Sequence, residues 1–403
     1  MNNMRSHEKS PDPSRGYDVV IAGAGLSGGS LALRLARAGA SVALVDSGKF
    51  PREKLCGEFL SPECWGVFER LGLEETIRCS GYHPIHRLRI STPRGRVLDT
   101  DFRRRDGLTG IGLSRSTLDN LIIGSCRTAG VDIYEGTQVK RALIRDGRVG
   151  GIVARQVIGE PFEVPAKVTV AADGRHSALV QRTGGTKARS WFRPRLFGLK
   201  RHLHVDESQS EPAGTVGLHL VPGGYVGACR VETGLTNLCG LLPESILRSR
   251  RGNLNRLADE IFPSNRLLDQ MYRSGRPVDE WKTVSGVRVQ ISSPVISGIL
   301  YAGDARGTID PLGGQGMTMA LLGAEMLAPF VLRALTEGLA NASLQREYGK
   351  TWKTRFDQRI SLCRAFHHVL VNPWLLDQAA IFSKLSPLLL ALSFNQSRDS
   401  VSV

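Results

Sequence analysis

Apolar and polar positions change period several times along the chain, and the changes predict its elements. Residues 17–22 (YDVVIA) form a short apolar run ending in glycines, the pattern of a strand buried in a parallel sheet. From 26 to 38 the spacing turns helical, with Leu31 and Leu35 on one face, Ala32 and Ala36 beside them, and Gly39 as the stop. Residues 41–45 (SVALV) predict the next strand, so the ordered chain opens on a βαβ unit. A helix is predicted at 118–129 and a strand at 131–134. Residues 138–172 are strand-rich and close on the run Val168-Thr169-Val170-Ala171-Ala172. Between 197 and 242 the pattern alternates as a sheet does, with Pro222-Gly223-Gly224 as a turn. Residues 298–302 (GILYA) predict another buried strand, 317–335 a long helix interrupted by Pro329, and 347–394 leucine-rich helices broken at Pro373 and Pro387.

Three of these strands run straight into glycine- or aspartate-bearing loops. After the first comes Gly23-Ala24-Gly25-Leu26-Ser27-Gly28, then a helix. Gly23 permits the tight turn, Gly25 lets a pyrophosphate approach the backbone, and Gly28 lets helix and strand pack closely, with the helix N-terminus facing the phosphates. Asp46, 23 residues after Gly23, ends the next strand, where it can accept hydrogen bonds from a ribose diol. An acid there argues against a 2′-phosphate on the nucleotide. After GILYA come Gly303-Asp304-Ala305 and Asp310-Pro311-Leu312-Gly313-Gly314-Gln315-Gly316, and Met317 follows as the next helix begins. Asp304 suits a polyol hydroxyl; the loop aims backbone N–H groups and a helix N-terminus at one place, which stabilises negative charge. Asp173 and His176 lie in Ala172-Asp173-Gly174-Arg175-His176-Ser177, directly after an apolar strand.

Composition narrows the classes. The 403 residues suffice for two domains, and no repeat of solenoid or propeller length is present. Lys and Arg total 53 against 38 Asp and Glu, a net +15 that favours anionic company: a nucleotide, a phosphorylated or carrier-bound substrate, or a membrane surface. The clusters Arg103-Arg104-Arg105 and Arg248-Ser249-Arg250-Arg251 lack interleaved aromatics, so no nucleic acid is expected. Seven scattered cysteines without a C-x-x-C pair are neither a disulfide framework nor a zinc site; a reduced, cytoplasmic protein without a bound metal is expected. Residues 1–16 are polar, with Pro11 and Pro13, and read as a disordered tail. No run of about 20 apolar residues predicts a membrane span.

The order GAGLSG…Asp46, Arg115, AADGRHS, GDARGTIDPLGGQG resembles the flavoprotein superfamily of para-hydroxybenzoate hydroxylase, geranylgeranyl reductases and flavin-dependent halogenases, over about residues 17–335. The resemblance implies FAD and an α/β architecture: a discontinuous Rossmann-type domain of the glutathione reductase-like fold (17–80, 106–185, 285–336), an inserted antiparallel substrate sheet (81–105, 186–284) and a helical C-terminal region (337–403). It implies that the Gly23 loop and Asp46 hold ADP, that Arg115 contacts the pyrophosphate, that Asp304 binds the ribityl chain, and that Asp173 lies between the FAD and NAD(P)H regions. FPREKLCGEFLSP (50–62) looks closest to the reductase group, whose Arg-x-Lys-x-Cys-Gly segment borders the flavin. VPGGYVGACRVE (221–232) falls where those reductases carry a Pro-x-x-Tyr-x-Trp-x-Phe-Pro cavity motif; Tyr225 is kept, Gly227 replaces the tryptophan, and the Phe-Pro pair is absent. The halogenase Trp-x-Trp-x-Ile-Pro signature is also absent, which argues against halogenation.

The implied activity is flavin monooxygenation of, or hydride transfer to a C=C bond in, a hydrophobic small molecule such as a polyketide, phenolic or isoprenoid, with NADPH or NADH docking transiently as reductant. Cys56, Glu58 and Tyr225 are the catalytic candidates beside the expected cavity. The alternative is a membrane-associated electron-relay or accessory flavoprotein, for which the apolar stretch 375–392 would supply a peripheral contact at the inner face of the membrane.

Overall fold

In a computed structural model, residues 15–102, 106–179, 195–287, 298–337 and 342–370 are described. Along the chain run β1 (Tyr17–Ala22), α1 (Leu26–Arg37), β2 (Val42–Val45), β3 (Phe59–Leu60), α2 (Cys64–Arg70), α3 (Glu74–Arg78), β4 (His83–Ile85), β5 (Arg87–Ser91), β6 (Val97–Asp101), β7 (Gly110–Gly112), α4 (Arg115–Thr128), β8 (Asp132–Tyr134), β9 (Thr137–Arg145), β10 (Arg148–Gln156) and β11 (Phe162–Ala171). The second half holds β12 (Leu196–His204), β13 (Thr215–Val221), β14 (Gly224–Arg230), β15 (Thr236–Pro243), α5 (Glu244–Arg248), α6 (Leu254–Ile261), α7 (Arg266–Ser274), β16 (Arg276–Pro277), β17 (Lys282–Val287), β18 (Ile299–Tyr301), α8 (Gly316–Thr336) and α9 (Ala342–Leu370). This is the mixed α/β fold that the loop-bearing strands predict.

The first sheet has the order β8-β2-β1-β11-β10-β9. Apart from Asp18, β1 and β2 are apolar because both faces are covered: Val19 and Ile21 pack with α1, α4 and α8, while Val20 and Ala22 pack with β9–β11. β11 is long enough to serve two neighbours on one edge. Its N-terminal half pairs antiparallel with β10, and its C-terminal end pairs parallel with β18. The second sheet, β16-β12-β15-β14-β13-β5-β6 with β17 also on β12, is antiparallel except for β13 beside β5. Its outer face (Phe197, Leu199, Val226, Ala228, Leu238) packs on α6 and α7. A short sheet β3-β7-β4 lies between in sequence.

Three differences from expectation have local causes. α4 starts at Arg115 rather than 118, because Ser114 caps it by accepting from the Thr117 backbone N–H at 3.1 Å. α8 runs through Pro329 without a break. Residues 244–274, unassigned from sequence, form α5–α7, and Asn253 and Asn265 cap α6 and α7. Among the described residues α8 alone is long and apolar enough to cross a membrane, with a mean hydropathy of 1.5, yet Leu321, Leu327 and Val331 are buried in the core. The leucine-rich stretch 375–392 lies outside the described residues.

Candidate active site

Register brings the three loops to one edge. Ala22 pairs with Ala171, and Ala171 with Tyr301, so the three parallel strands end level. Gly23, Ala172 and Gly303 therefore open side by side. Gly23 sits at φ +98°, and a Cβ there would overlap the Ala172 carbonyl; a Cβ on Gly28 would overlap the Gly23 carbonyl. Both glycines are packing requirements of the turn. Gly25 differs: a Cβ there would have room, facing Lys54 Nζ at 3.8 Å, Arg115 Nη2 at 3.9 Å and Arg52 Nη2 at 4.0 Å.

Around Gly25 the chemistry is that of an anion site. α1 begins here with no side-chain cap and no acid in its first turn, so its N–H groups and positive dipole end are uncompensated. The Ser27 hydroxyl is buried without a partner. Arg115 forms a two-point pair with buried Asp119 (2.8 and 2.9 Å), and Arg52 pairs with Asp46 at 3.1 Å. The Lys54 ammonium makes no hydrogen bond and no direct ion pair among the described residues; burial, and then the neighbouring Arg115 charge, push it below the ordinary lysine value, against the weaker pull of the Asp304 and Asp119 charges. An anion seated here would find a helix N-terminus, an orphaned hydroxyl and an ammonium without a direct ion pair. A dinucleotide pyrophosphate fits that donor set.

Asp46 ties the turns together before it meets any ligand. Its Oδ2 accepts from Ala24 N at 2.7 Å and its Oδ1 from Gly48 N at 2.8 Å. Asp173 accepts from Ala178 N at 2.9 Å as a turn cap, and burial raises its carboxyl; its neighbours Ala172, Gly174 and Arg175 are the residues that face the cavity.

From Gly25 a cavity of about 310 Å³ runs past Asp304 and the 310–317 loop to the second sheet. Leu26, Ser27, Arg115, Gly303 and Asp304 line its first part, and Gly313, Gly314, Gly316 and Met317 its middle. Gly314 is left-handed (φ 59°), turning the chain into the N-terminus of α8. α9 fixes this loop from behind. Arg359, buried, donates to both oxygens of Glu63 (2.7 and 2.8 Å) and to Gln315 Oε1 at 3.2 Å, and Cys363 packs on Gly313. The far wall is apolar: Ile90, Leu218 and Leu241, with Tyr225 and Gly227 between.

The segment Arg52–Glu58 crosses from the cradle to the second sheet and is anchored there. Glu58 is wholly buried at φ 58°. Its Oε1 accepts from Lys200 Nζ at 2.5 Å and Arg115 N at 2.9 Å, and its Oε2 meets His202 Nε2 at 2.8 Å. His202 Nδ1 meets Asp279 Oδ2 at 3.0 Å, and Lys200 also donates to Glu53 at 3.0 Å. Desolvation opposes these charges, but the partners prevail: Glu58 and Asp279 are held low and Lys200 and His202 high. Glu53, Glu58 and His202 have metal-ligand spacing, yet the Lys200 ammonium already supplies the cation between the two carboxylates. Cys56 lines the cavity, and its carbonyl accepts from Asn237 Nδ2 at 2.9 Å. Burial drives the Tyr225 hydroxyl well above the ordinary tyrosine value, and it has no partner.

Sequence reasoning missed Arg52 and Lys54 as members of the cradle, although both stand in the quoted Arg-x-Lys-x-Cys-Gly segment. It also missed Lys200, His202 and Asp279. Their signal was a lysine and a histidine at alternate positions of a largely buried strand, inward-facing with Gly198.

The level strand ends, the glycine turn and the uncompensated cradle define a dinucleotide-binding oxidoreductase. Residues 16–211 match the family described as FAD binding domain. The chain is 24% identical over 382 residues to conditioned medium factor receptor 1 of Dictyostelium discoideum (90% of this chain, 73% of that one). It is 24% identical over 347 residues to digeranylgeranylglycerophospholipid reductase of Methanosphaerula palustris (84% and 82%). To menaquinone reductase of Mycolicibacterium smegmatis it is 26% identical over 337 residues (77% and 76%). Among solved structures, the fold matches a triple mutant of the flavin-dependent brominase Bmp2 with a TM-score of 0.79 (17% identity, 96% of each chain) and p-nitrophenol 4-monooxygenase of Pseudomonas putida with 0.77 (20% identity, 96% and 100%). Residues 16–211 thus carry an FAD-binding domain, and the chain as a whole is similar to FAD-dependent oxidoreductases.

Proposed function

We propose that this enzyme transfers hydride between FAD and a C=C bond of a hydrophobic small molecule bound against the second sheet. One observation carries the reading: the cofactor loops and the apolar sheet face line a single cavity. FAD, once reduced by NADPH or NADH, would supply the hydride to one carbon, with solvent giving the balancing proton to the other; the remaining work falls to the chain. Ser27, Lys54, Arg115 and the start of α1 hold the pyrophosphate, Asp304 the ribityl chain, and the α8 N-terminus the negative charge of the reduced ring. Ile90, Leu218 and Leu241 exclude water and orient the substrate by apolar contact. Glu58, with both oxygens engaged, anchors the segment that carries Lys54 and Cys56. NADPH or NADH is the reductant in this reading, docking transiently, and the expected domain boundaries stand as proposed. The odd number and scatter of the cysteines, with no C-x-x-C pair, support a reducing compartment.

The reductase names of two sequence relatives favour reduction over oxygenation as the leading form. The test mixes dithionite-reduced, FAD-loaded protein with geranylgeraniol or menaquinone under strict anaerobiosis. Return of the oxidised flavin spectrum with a product two hydrogens heavier supports the reading. No reaction until O₂ is admitted, with a product one oxygen heavier, replaces it with monooxygenation.

A further inference from the structure

The far wall of the cavity holds a slot and, beside it, a hydroxyl without a partner. On the inward face of the second sheet, Leu218, Gly227 and Cys239 are cross-strand neighbours on β13, β14 and β15. Leu218 and Cys239 rise on either side, while at Gly227 the surface falls to bare backbone. A Cβ there would meet only the carbonyl oxygens of Cys239 (3.3 Å) and Gly217 (3.7 Å), and no side-chain atom within 4 Å. The slot is thus one strand wide, with its walls roughly 10 Å apart at the backbone, two strand spacings. Two residues along β14, on the same face, stands Tyr225. It is 5% exposed and lines the cavity, and its hydroxyl has no hydrogen-bond partner. A buried hydroxyl left unpaired is costly, so the site favours a ligand that completes it.

We propose that Tyr225 and Gly227 set substrate class: the slot takes the face of a flat, apolar ring system, and the Tyr225 hydroxyl donates to an acceptor oxygen that the ring carries, such as a ketone or quinone carbonyl. Burial keeps the phenol protonated, so it remains a donor across the accessible pH range. Flatness follows from the floor, since a ring stacks on exposed peptide planes where a branched group would strike Leu218 or Cys239. The inference rests on the proposed role of the cavity as the substrate site and adds what that substrate must look like.

The test uses FAD-loaded full-length protein and two nearly isosteric probes, 2-acetylnaphthalene and 2-isopropenylnaphthalene, which differ by a carbonyl oxygen against a methylene. Binding is read from perturbation of the flavin absorbance. The ketone is expected to bind roughly five- to tenfold tighter, the discrimination of one hydrogen bond to a buried donor. Tyr225→Phe should bring that ratio near one by weakening only the ketone. Gly227→Leu should weaken both probes more than tenfold while FAD content stays at one per chain; Gly227→Ala, a milder filling, should weaken both less. Equal affinities in the unmodified enzyme, no binding of either ring, or a preference that survives Tyr225→Phe would overturn the inference. If Gly227→Leu abolishes binding while Tyr225→Phe keeps the preference, only the inference fails. If both glycine variants bind both rings unchanged, the cavity is not the substrate site, and the proposed function fails with it.

Discussion

Two charged clusters sit at opposite ends of the segment Arg52–Glu58, and they are built on opposite rules. At the Glu58 end, Lys200, His202 and Lys282 meet Glu53, Glu58 and Asp279, so each charge has a counter-charge from the chain itself. At the Gly25 end, the direct ion pairs of Arg52, Lys54 and Arg115 among the described residues run only to Asp46 and Asp119, with Asp304 further off, beside an uncapped helix start and an orphaned serine hydroxyl. Burial penalises both sets of ions. The first is stable as it stands and reads as structure; the second is completed only by an anion from outside and reads as a binding site. Compensation, more than the presence of charge, separates the two.

The sharpest way to break this contrast is to remove Glu58. Glu58→Ala leaves buried Lys200 facing only Glu53, and the unfolding free energy is expected to fall by about 3–5 kcal/mol in urea titration. Adding Lys200→Met should restore more than half of that, because an apolar chain of similar length costs less than an unpaired ion. A loss below about 1 kcal/mol would put the cluster among decorative ion pairs.

The cradle should respond in the opposite sense. Lys54→Met is expected to weaken FAD binding roughly 10- to 100-fold, about 1.5–3 kcal/mol for a lost charge-assisted contact, while leaving the stripped chain as stable as before or more so. Unchanged FAD affinity with a destabilised chain would reverse the assignment.

How far the sequence foretold these two ends depends on distance along the chain. The Gly23 turn, α1 and Asp46 lie within 24 residues, and local rules are enough to place them. The 310–317 loop was legible because a buried strand precedes it and a helix follows. Lys200 and His202 pair with Glu58 across 142 and 144 residues, and Asp279 is 77 further on. No periodicity links such positions; only the pairing of β12 with β15 and β17 brings them under the segment. α6 was legible in principle, since Leu254, Leu257, Ala258 and Ile261 follow helical spacing behind the Asn253 cap, but at eight residues it is too short for the spacing to stand out.

A smaller effect comes from pH. Asp279 is held at about 2, so its contribution is complete above the ordinary 3.8 and is lost as pH falls toward 2. His202 is raised, so its contribution is complete below the ordinary 6.5 and fades as pH rises past its folded-state value. The stability gap between the native chain and His202→Asn, from urea midpoints, should therefore be widest between those limits and narrow on either side. A gap independent of pH would remove the ionic account. The smallest effect belongs to the exposed pair Glu74–Arg78 on α3: Glu74→Ala should leave both the urea midpoint and the FAD affinity where they are.

Calorimetric titration of the cofactor-stripped, folded chain with FAD goes straight to the account's centre, the anion site at Gly25. One FAD per chain is expected, with affinity that falls as pH rises and Lys54 loses its proton. A folded chain that gives no heat and stays colourless after dialysis would contradict it.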